Sequence, residues 1–249
     1  MRGIGVVVAC AVVASASALA QPALTPVLRS GDAVPGLDSW PEREFGRMGS
    51  SPQIAPDGTM FLSGGWQGLN PLESAVFIGR PGDWTPGFWH GREGPMGEDR
   101  TKVIVLQRPT YGGGRHFIAN SIIDGDTVNG SNDRAILGVD LLSVKYLVRS
   151  GFQTAGALGD WSQPDTLHRI NAAGQYALSG GILSGRGIAV GGPGAGPEVI
   201  AQTAGPVLGG PAGSVHDSNI GSPVLSETGA VAYLAGYEHS DRCRRSAFF

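Results

Sequence analysis

INAAGQYALSGG, residues 170–181, is one of four related stretches in a chain of 249 residues. The others are IAPDGTMFLSGG (54–65), TYGGGRHFIANS (110–121) and LSETGAVAYLAG (225–236). Aligned on Gly58, Gly114, Gly174 and Gly229, the copies lie 56, 60 and 55 residues apart. Each glycine follows a short polar or small stretch and opens an apolar run, the pattern of a turn that feeds a strand. Two and four residues beyond it come Met60 and Leu62, His116 and Ile118, Tyr176 and Leu178, Val231 and Tyr233. Thr59, Arg115, Gln175 and Ala230 come one residue beyond it. This period-2 alternation predicts a strand with one strongly buried face. A repeat of this length is typical of propellers, solenoids and arrays, in which one unit cannot bury its own apolar face.

A second apolar element follows each glycine motif: SAVFIGR (74–80), RAILGVD (134–140), RGIAVGG (186–192) and SAFF (246–249). A third precedes the next motif: VLRSGD (27–32), YLVRSG (146–151) and VIAQTA (199–204). In the first full repeat either WHGREG (89–94) or VIVLQR (103–108) fills that place. The connections agree too, since Trp40 and Trp161 follow the two R-S-G segments at nearly the same distance, each with a proline behind. No segment of 10–15 residues has capped 3.6-residue amphipathicity, which argues against helical solenoids. The expectation is an all-β, propeller-like array of four repeats, each somewhat longer than the ~40–45 residues of the WD type. The fourth repeat stops inside its second element. Either residues 27–32 pair with the C-terminal repeat and close a ring, or the chain is the front part of a longer propeller. The abrupt HSDRCRRSAFF ending favours the second.

The first twenty residues read as a secretory signal: Arg2, an apolar run from Ile4 to Val13, and Ala18-Leu19-Ala20 before a cut that leaves Gln21 first. Val7-Val8-Ala9-Cys10 loosely matches a lipoprotein box, but a cut there leaves too short an apolar run, so ordinary cleavage is preferred. No later stretch approaches the ~18 apolar residues that span a bilayer. Residues 21–249 are therefore expected to form a single exported β-repeat domain with an incomplete last repeat. Losing Arg2 from the 18 basic residues leaves 17 against 21 acidic ones, a net charge of −4 that argues against nucleic acid. Cys10 leaves with the signal, so Cys243 has no intrachain partner and the fold must rest on its core. The 41 glycines and 17 prolines, lacking a G-X-Y register, read as turns between strands.

Asn171-x-x-Gly174-x-x-x-Leu178, with Ala55…Gly58…Leu62 and Ser226…Gly229…Tyr233, resembles the bacterial tandem-repeat family named for an N-x-x-G-x-x-x-F motif. The LRSG (28–31) and LVRSG (147–151) segments, the first with Asp32 and Pro35-Gly36, resemble that family's other recurring block, and the likeness covers nearly all of 27–249. These are planctomycete-type exported proteins that often end in a sorting or anchoring segment, the choice-of-anchor type. The resemblance implies export and repeat architecture, and no reaction. This chain uses Ala, Tyr and Ser where the family prefers Asn, and shows no such C-terminal segment.

Among candidate sites, the loop Asp124-Gly125-Asp126-Thr127-Val128-Asn129-Gly130-Ser131-Asn132-Asp133 carries the oxygens that Ca²⁺ takes, with Asp124, Asp126, Asn129 and Asp133 as ligands. Val128 in the fifth place and the missing twelfth-position Glu exclude an EF-hand, and a plain hairpin loop uses the same residue types. His216-Asp217 and Glu238-His239-Ser240-Asp241 set imidazole beside carboxylate without metal-site spacing; His116 reads as a core histidine. G-x-S-x-G is absent, and the 191–196 glycine run lacks the lysine and helix of a phosphate loop. Trp84 and Trp89, within GDWTPGFWHG, are candidates for stacking on sugar rings, against ordinary packing. The expected function is an exported, non-catalytic interaction module at the cell surface, with protein or polysaccharide partners. The rival is a propeller enzyme or lectin acting on polysaccharide, with carboxylates such as Asp32, Asp57 and Asp217 converging.

Overall fold

The computed structural model describes residues 32, 45–48, 52–55, 57–66, 75–81, 83–89, 101–114, 116–140, 143–183, 185–239 and 244–249. The signal segment, Trp40, His90, Cys243 and all of the 27–32 strand except Asp32 lie outside them, as does the expected pairing of that strand with the C-terminal repeat. Every regular element among the described residues is a β-strand, and the sheets are antiparallel. The chain divides into two compact units, Met1–Phe88 and Trp89–Phe249.

In the first unit, β1 (Phe45–Met48), β3 (Met60–Trp66), β4 (Ala75–Arg80) and β5 (Asp83–Trp89) form one sheet in that order, with β2 (Gln53–Ile54) also paired to β3. The last strand is β5, neither of the two segments expected from the sequence. VIVLQR lies instead within β6 (Lys102–Gly113), which opens the next sheet. The sequence of β5 contains Pro86, which removes a donor and is tolerated on this edge strand.

The second unit repeats the design. A sheet of β6, β7 (His116–Asp124), β8 (Arg134–Asp140) and β9 (Ser143–Arg149) runs in chain order. So does the next, of β10 (Trp161–Ile170), β11 (Tyr176–Ile182), β12 (Gly185–Gly192) and β13 (Ala195–Gln202). The last sheet joins β14 (Val215–Ile220), β17 (Leu234–Glu238) and β18 (Arg244–Phe248), and the ribbon of β15 (Val224–Leu225) and β16 (Val231–Ala232) touches β10 and β11 through β15.

The glycine motif is the turn between the first two strands of a sheet in the second and third copies, between β2 and β3 in the first, and between β15 and β16 in the fourth. In three copies the hydrogen bonds match. Ala55, Asn171 and Ser226 each donate N–H to the carbonyl four residues on and accept from Gly58, Gly174 and Gly229, at 2.8–3.1 Å. The motif glycines have φ of +81°, +58°, +76° and +84°, a region that side chains disfavour. The side chain opening the motif closes the turn: Asn171 Oδ1 accepts from Gln175 N (3.0 Å) and Ser226 Oγ from Ala230 N (2.9 Å). Ala55 has no such atom, and there Asp57 Oδ1 accepts from Thr59 N at 2.9 Å.

These turns also touch their neighbours. Asn171 Nδ2, on a residue only 2 % exposed, donates to the carbonyls of Ser226 (3.0 Å) and Glu227 (3.3 Å) in the next copy. Gly112, ahead of the second copy's glycine, backs onto the Asn171 carbonyl so closely that no Cβ fits. A second repeated device sits at the far strand ends. Ser150 Oγ accepts from Arg134 N and donates to Arg134 O, both at 3.1 Å, and Thr203 Oγ1 does the same to Arg186 at 3.0 and 3.4 Å. The hydroxyl of the R-S-G block is thus a clamp on the start of the preceding strand.

Central strands of the second unit are buried on both faces, where the alternation had suggested one. In β7, β8 and β11 the buried runs are continuous. Ala119, Ser121, Ala177 and Ser179 fill the second face with side chains too small to show as an apolar period. Such two-sided burial is what sheets stacked against one another require.

Candidate functional site

The two complete sheets of the second unit meet along a seam made by Ile118, Ile136, Leu147, Trp161, Tyr176 and Leu178. Antiparallel order gathers the turns after β6, β8, β10 and β12 at one end of this seam and the loops after β7, β9 and β11 at the other. Each end is hollowed into a cleft.

The first cleft, about 220 Å³, is lined by His116, Asp140, Ser143, Lys145 and Tyr176, with Gly174, Pro193 and Gly194 as a wall. His116 is paired with Asp140 across β7 and β8, and Asp140 with Ser143 across β8 and β9, so all three project from one face. His116 is half-buried rather than a core residue, because it is the first residue of its strand and looks past the apolar layer into the cleft. Its ring presses on Gly174, where an added Cβ would lie 3.2 Å from imidazole Cγ. Burial pushes the Tyr176 phenol up to about 12, so it stays protonated as a donor, aimed at the Ala195 carbonyl 3.5 Å away. An imidazole, a carboxylate, an ammonium and a hydroxyl on one rigid face suit hydrogen bonding to a polar ligand. The single carboxylate does not supply the pair that glycosidic hydrolysis uses.

The opposite cleft, about 460 Å³, is lined by Ser131, Asp133, Arg134, Asp160, Ser162 and Gln163. It takes one of the four ligand candidates of the 124–133 loop, Asp133, and brings Asp160 to it. Asp124, Asp126 and Asn129 do not line it. The loop closes on itself: Gly125 N donates to Asp124 Oδ1 at 2.9 Å, and Ser131 N and Oγ to Asn129 Oδ1 at 2.9 and 2.5 Å. Asn132 Oδ1 accepts from Asn129 N at 2.7 Å. Among the described residues no group of three or more His, Cys, Asp or Glu is placed to hold a metal ion.

None of the other sequence candidates is among the described residues lining either cleft. Trp84 is 8 % exposed, its ring spent on packing, and the side chain of Trp89 lies outside the described residues. Asp57 and Asp217 accept from backbone N–H groups two residues on, at 2.9 and 2.6 Å, which is turn chemistry. The Thr59 hydrogen bonds hold the Asp57 carboxyl below its usual range. His239 Nδ1 lies 3.3 Å from Ser214 Oγ.

His216 turns out to be a core residue. Gly151 N donates to Trp161 O and Trp161 N to Phe152 O; likewise Ala204 N donates to His216 O and His216 N to Gly205 O. His216 therefore stands where the preceding repeat has Trp161, and both are 1 % exposed. Its ring packs on Tyr233 (6.1 Å) and Phe249 (5.5 Å). Asp217, the next residue along the strand, belongs to the opposite face. Neither ring nitrogen has a well-formed hydrogen bond among the described residues, and burial holds the imidazole below its ordinary value, outweighing the upward pull of the Gly236 backbone and the Asp217 carboxylate. Below pH ~6.5 the unfolded chain binds a proton here that the folded one refuses. Stability should thus fall as pH drops from 6.5 toward the folded value, and be flat above it. Urea midpoints between pH 7.5 and 5 check this: His216→Phe should flatten the decline, and an unchanged slope would contradict the assignment.

In comparisons with known proteins, no family model and no curated protein matches the chain. No helix among the described residues is long and apolar enough to cross a membrane. Sequence reasoning missed Asp140, Lys145 and Asp160 as site residues. The signal for the first was present: a tight hairpin between RAILGVD and SVKYLVR places Asp140 at a strand end, across from the strand opened by His116.

Proposed function

We propose that this chain is an exported, non-catalytic repeat protein, built as a propeller-like array of blades, that serves as an extracellular or cell-surface interaction module. The observation that carries this reading is the recurrence of one design: glycine turns with matching hydrogen bonds, hydroxyl clamps, and sheets buried on both faces. A tandem array presents seams and turn clusters as extended binding surface, and the His116–Lys145 cleft lies in such a seam. Residues 1–20, the N-x-x-G resemblance and partners of protein or polysaccharide kind belong to the same reading. Expressed with its leader, the chain should be recovered outside the cytoplasm beginning at Gln21. Purified, it should bind surface polymers without cleaving them. Retention in the cytoplasm, or steady release of reducing ends from polysaccharide, would overturn the proposal. The pairing of Asp133 with Asp160 in one cleft favours a polysaccharide-cleaving enzyme as the second reading; any cleavage should then vanish in Asp133→Asn and Asp160→Asn.

A further inference from the structure

Arg149 ends β9 and is 4 % exposed. Its Nε donates to the Asn132 carbonyl at 2.9 Å. Its guanidinium carbon lies 5.4 Å from the Tyr146 ring centre and 4.8 Å from that of Phe152. Nη2 is buried with no hydrogen-bond partner among the described residues. A buried guanidinium without a counter-charge is costly unless something pairs with it. Arg149 also lines a separate cleft of about 300 Å³ with Tyr146, Phe152, Gln153, Thr154 and Pro197, and no acidic side chain is among the described residues lining it.

The next repeat gives the contrast. The clamps align Ser150 with Thr203, and so Arg149 with Gln202. Gln202 is satisfied: it donates to Gly156 O and accepts from Leu158 N, both at 2.9 Å. The fold can therefore fill this position with a neutral amide whose nitrogen and oxygen are both hydrogen-bonded. In the earlier repeat it carries a cation with unspent donors, facing a cavity.

We propose that Arg149 anchors a binding site for the carboxylate of an acidic sugar unit, a uronate. With Nε spent on Asn132, the terminal edge of the guanidinium, Nη1 and Nη2, is the one left to receive a carboxylate end-on. The fork is held in place by the two rings, and Tyr146 is itself pinned through a 2.7 Å bond to Thr101 Oγ1. Phe152, 49 % exposed, adds an apolar surface for the C–H face of a pyranose. Thr154 Oγ1 already accepts from Trp161 Nε1 at 2.7 Å, which leaves its own proton to donate. Carboxylate, ring face and hydroxyl acceptor together describe a uronate better than an extended acidic peptide.

This inference deepens the interaction-module reading and rests on it. Its failure would leave that reading intact, because export and lack of turnover are measured separately. Calorimetric titration of residues 21–249 with sodium glucuronate, glucose, sodium acetate and a blocked Ala-Glu-Ala peptide tests it. Glucuronate should bind best, with glucose and the peptide weaker by about tenfold or more and acetate intermediate. Arg149→Gln, which copies Gln202, should weaken glucuronate by about tenfold or more. Phe152→Ala, on a ring 49 % exposed, should weaken glucuronate by more than it weakens acetate, because acetate loses only the support that the ring gives the fork. Equal binding of glucose, tighter binding of the peptide, or glucuronate affinity unchanged in either variant would overturn the proposal.

Discussion

Replacing Asn171 with alanine should lower the unfolding free energy by about 3 kcal/mol, because it removes the bond accepted from one backbone donor and the two N–H bonds of Nδ2, shared among Gln175 Oε1 and two carbonyls, at roughly 1 kcal/mol each. The donor is Gln175 N, and the carbonyls are those of Ser226 and Glu227, fifty-five or so residues along the chain. For a unit of this size that corresponds to a melting temperature lower by roughly 10 °C. Asn171→Ser should recover the local part, since Ser226 closes its own turn with a hydroxyl, yet leave the link to the next repeat broken. Thermal melts of the three proteins should therefore rank native, serine, alanine. Serine equal to native would mean that the link contributes nothing.

Gly112→Ala should be as damaging, for a steric reason alone. Its Cβ would run into the backbone carbonyl oxygen of Asn171, lie 2.9 Å from the carbonyl carbon and 3.0 Å from Ile170 Cγ1. Backbone cannot step aside as a side chain can, so a cost near the upper end of overpacking, about 3 kcal/mol, is expected. Gly114→Ala, two residues on, makes the useful comparison. Nothing lies within 4 Å of its Cβ, and its φ of +58° is the left-handed region, so about 1 kcal/mol is expected. If the two glycines cost the same in urea titrations, the close approach of neighbouring turns is not what Gly112 serves.

The sequence disclosed what glycine and apolar periodicity can disclose. The motif glycines, the elements after them and the outer strands β9 and β13 fall where the spacing put them. The opening strand of each sheet did not stand out. In β10, WSQPDTLHRI, polar residues and Pro164 interrupt any alternation, and the strand is held by register with β11 and by links such as His168 Nε2 to Arg108 O at 3.0 Å. Strand β5 was hidden the same way by Pro86. The role of Asn171 was visible only as a motif letter, because half its bonds reach a turn in the next copy. Site residues were less legible still. Asp133 was singled out for metal but shares a cleft with Asp160, while Asp140 and Lys145 carry no motif and meet His116 only through strand pairing and packing. Arg149 could be read as a recurring letter of the R-S-G block; that it is buried and short of partners depends on which rings close over it.

At the centre of the account stands one claim: the glycine motif at Asn171 is joined to its next copy along the chain as well as turning the chain locally. Amide hydrogen exchange on Asn171→Ala tests this directly. Faster exchange is expected at Gln175, which loses its acceptor, and also in the 226–230 turn of the next repeat, at the Gly229 and Ala230 amides, which Asn171 does not bond. Acceleration confined to residues 171–175, with the 226–230 turn exchanging at the native rate, would contradict it.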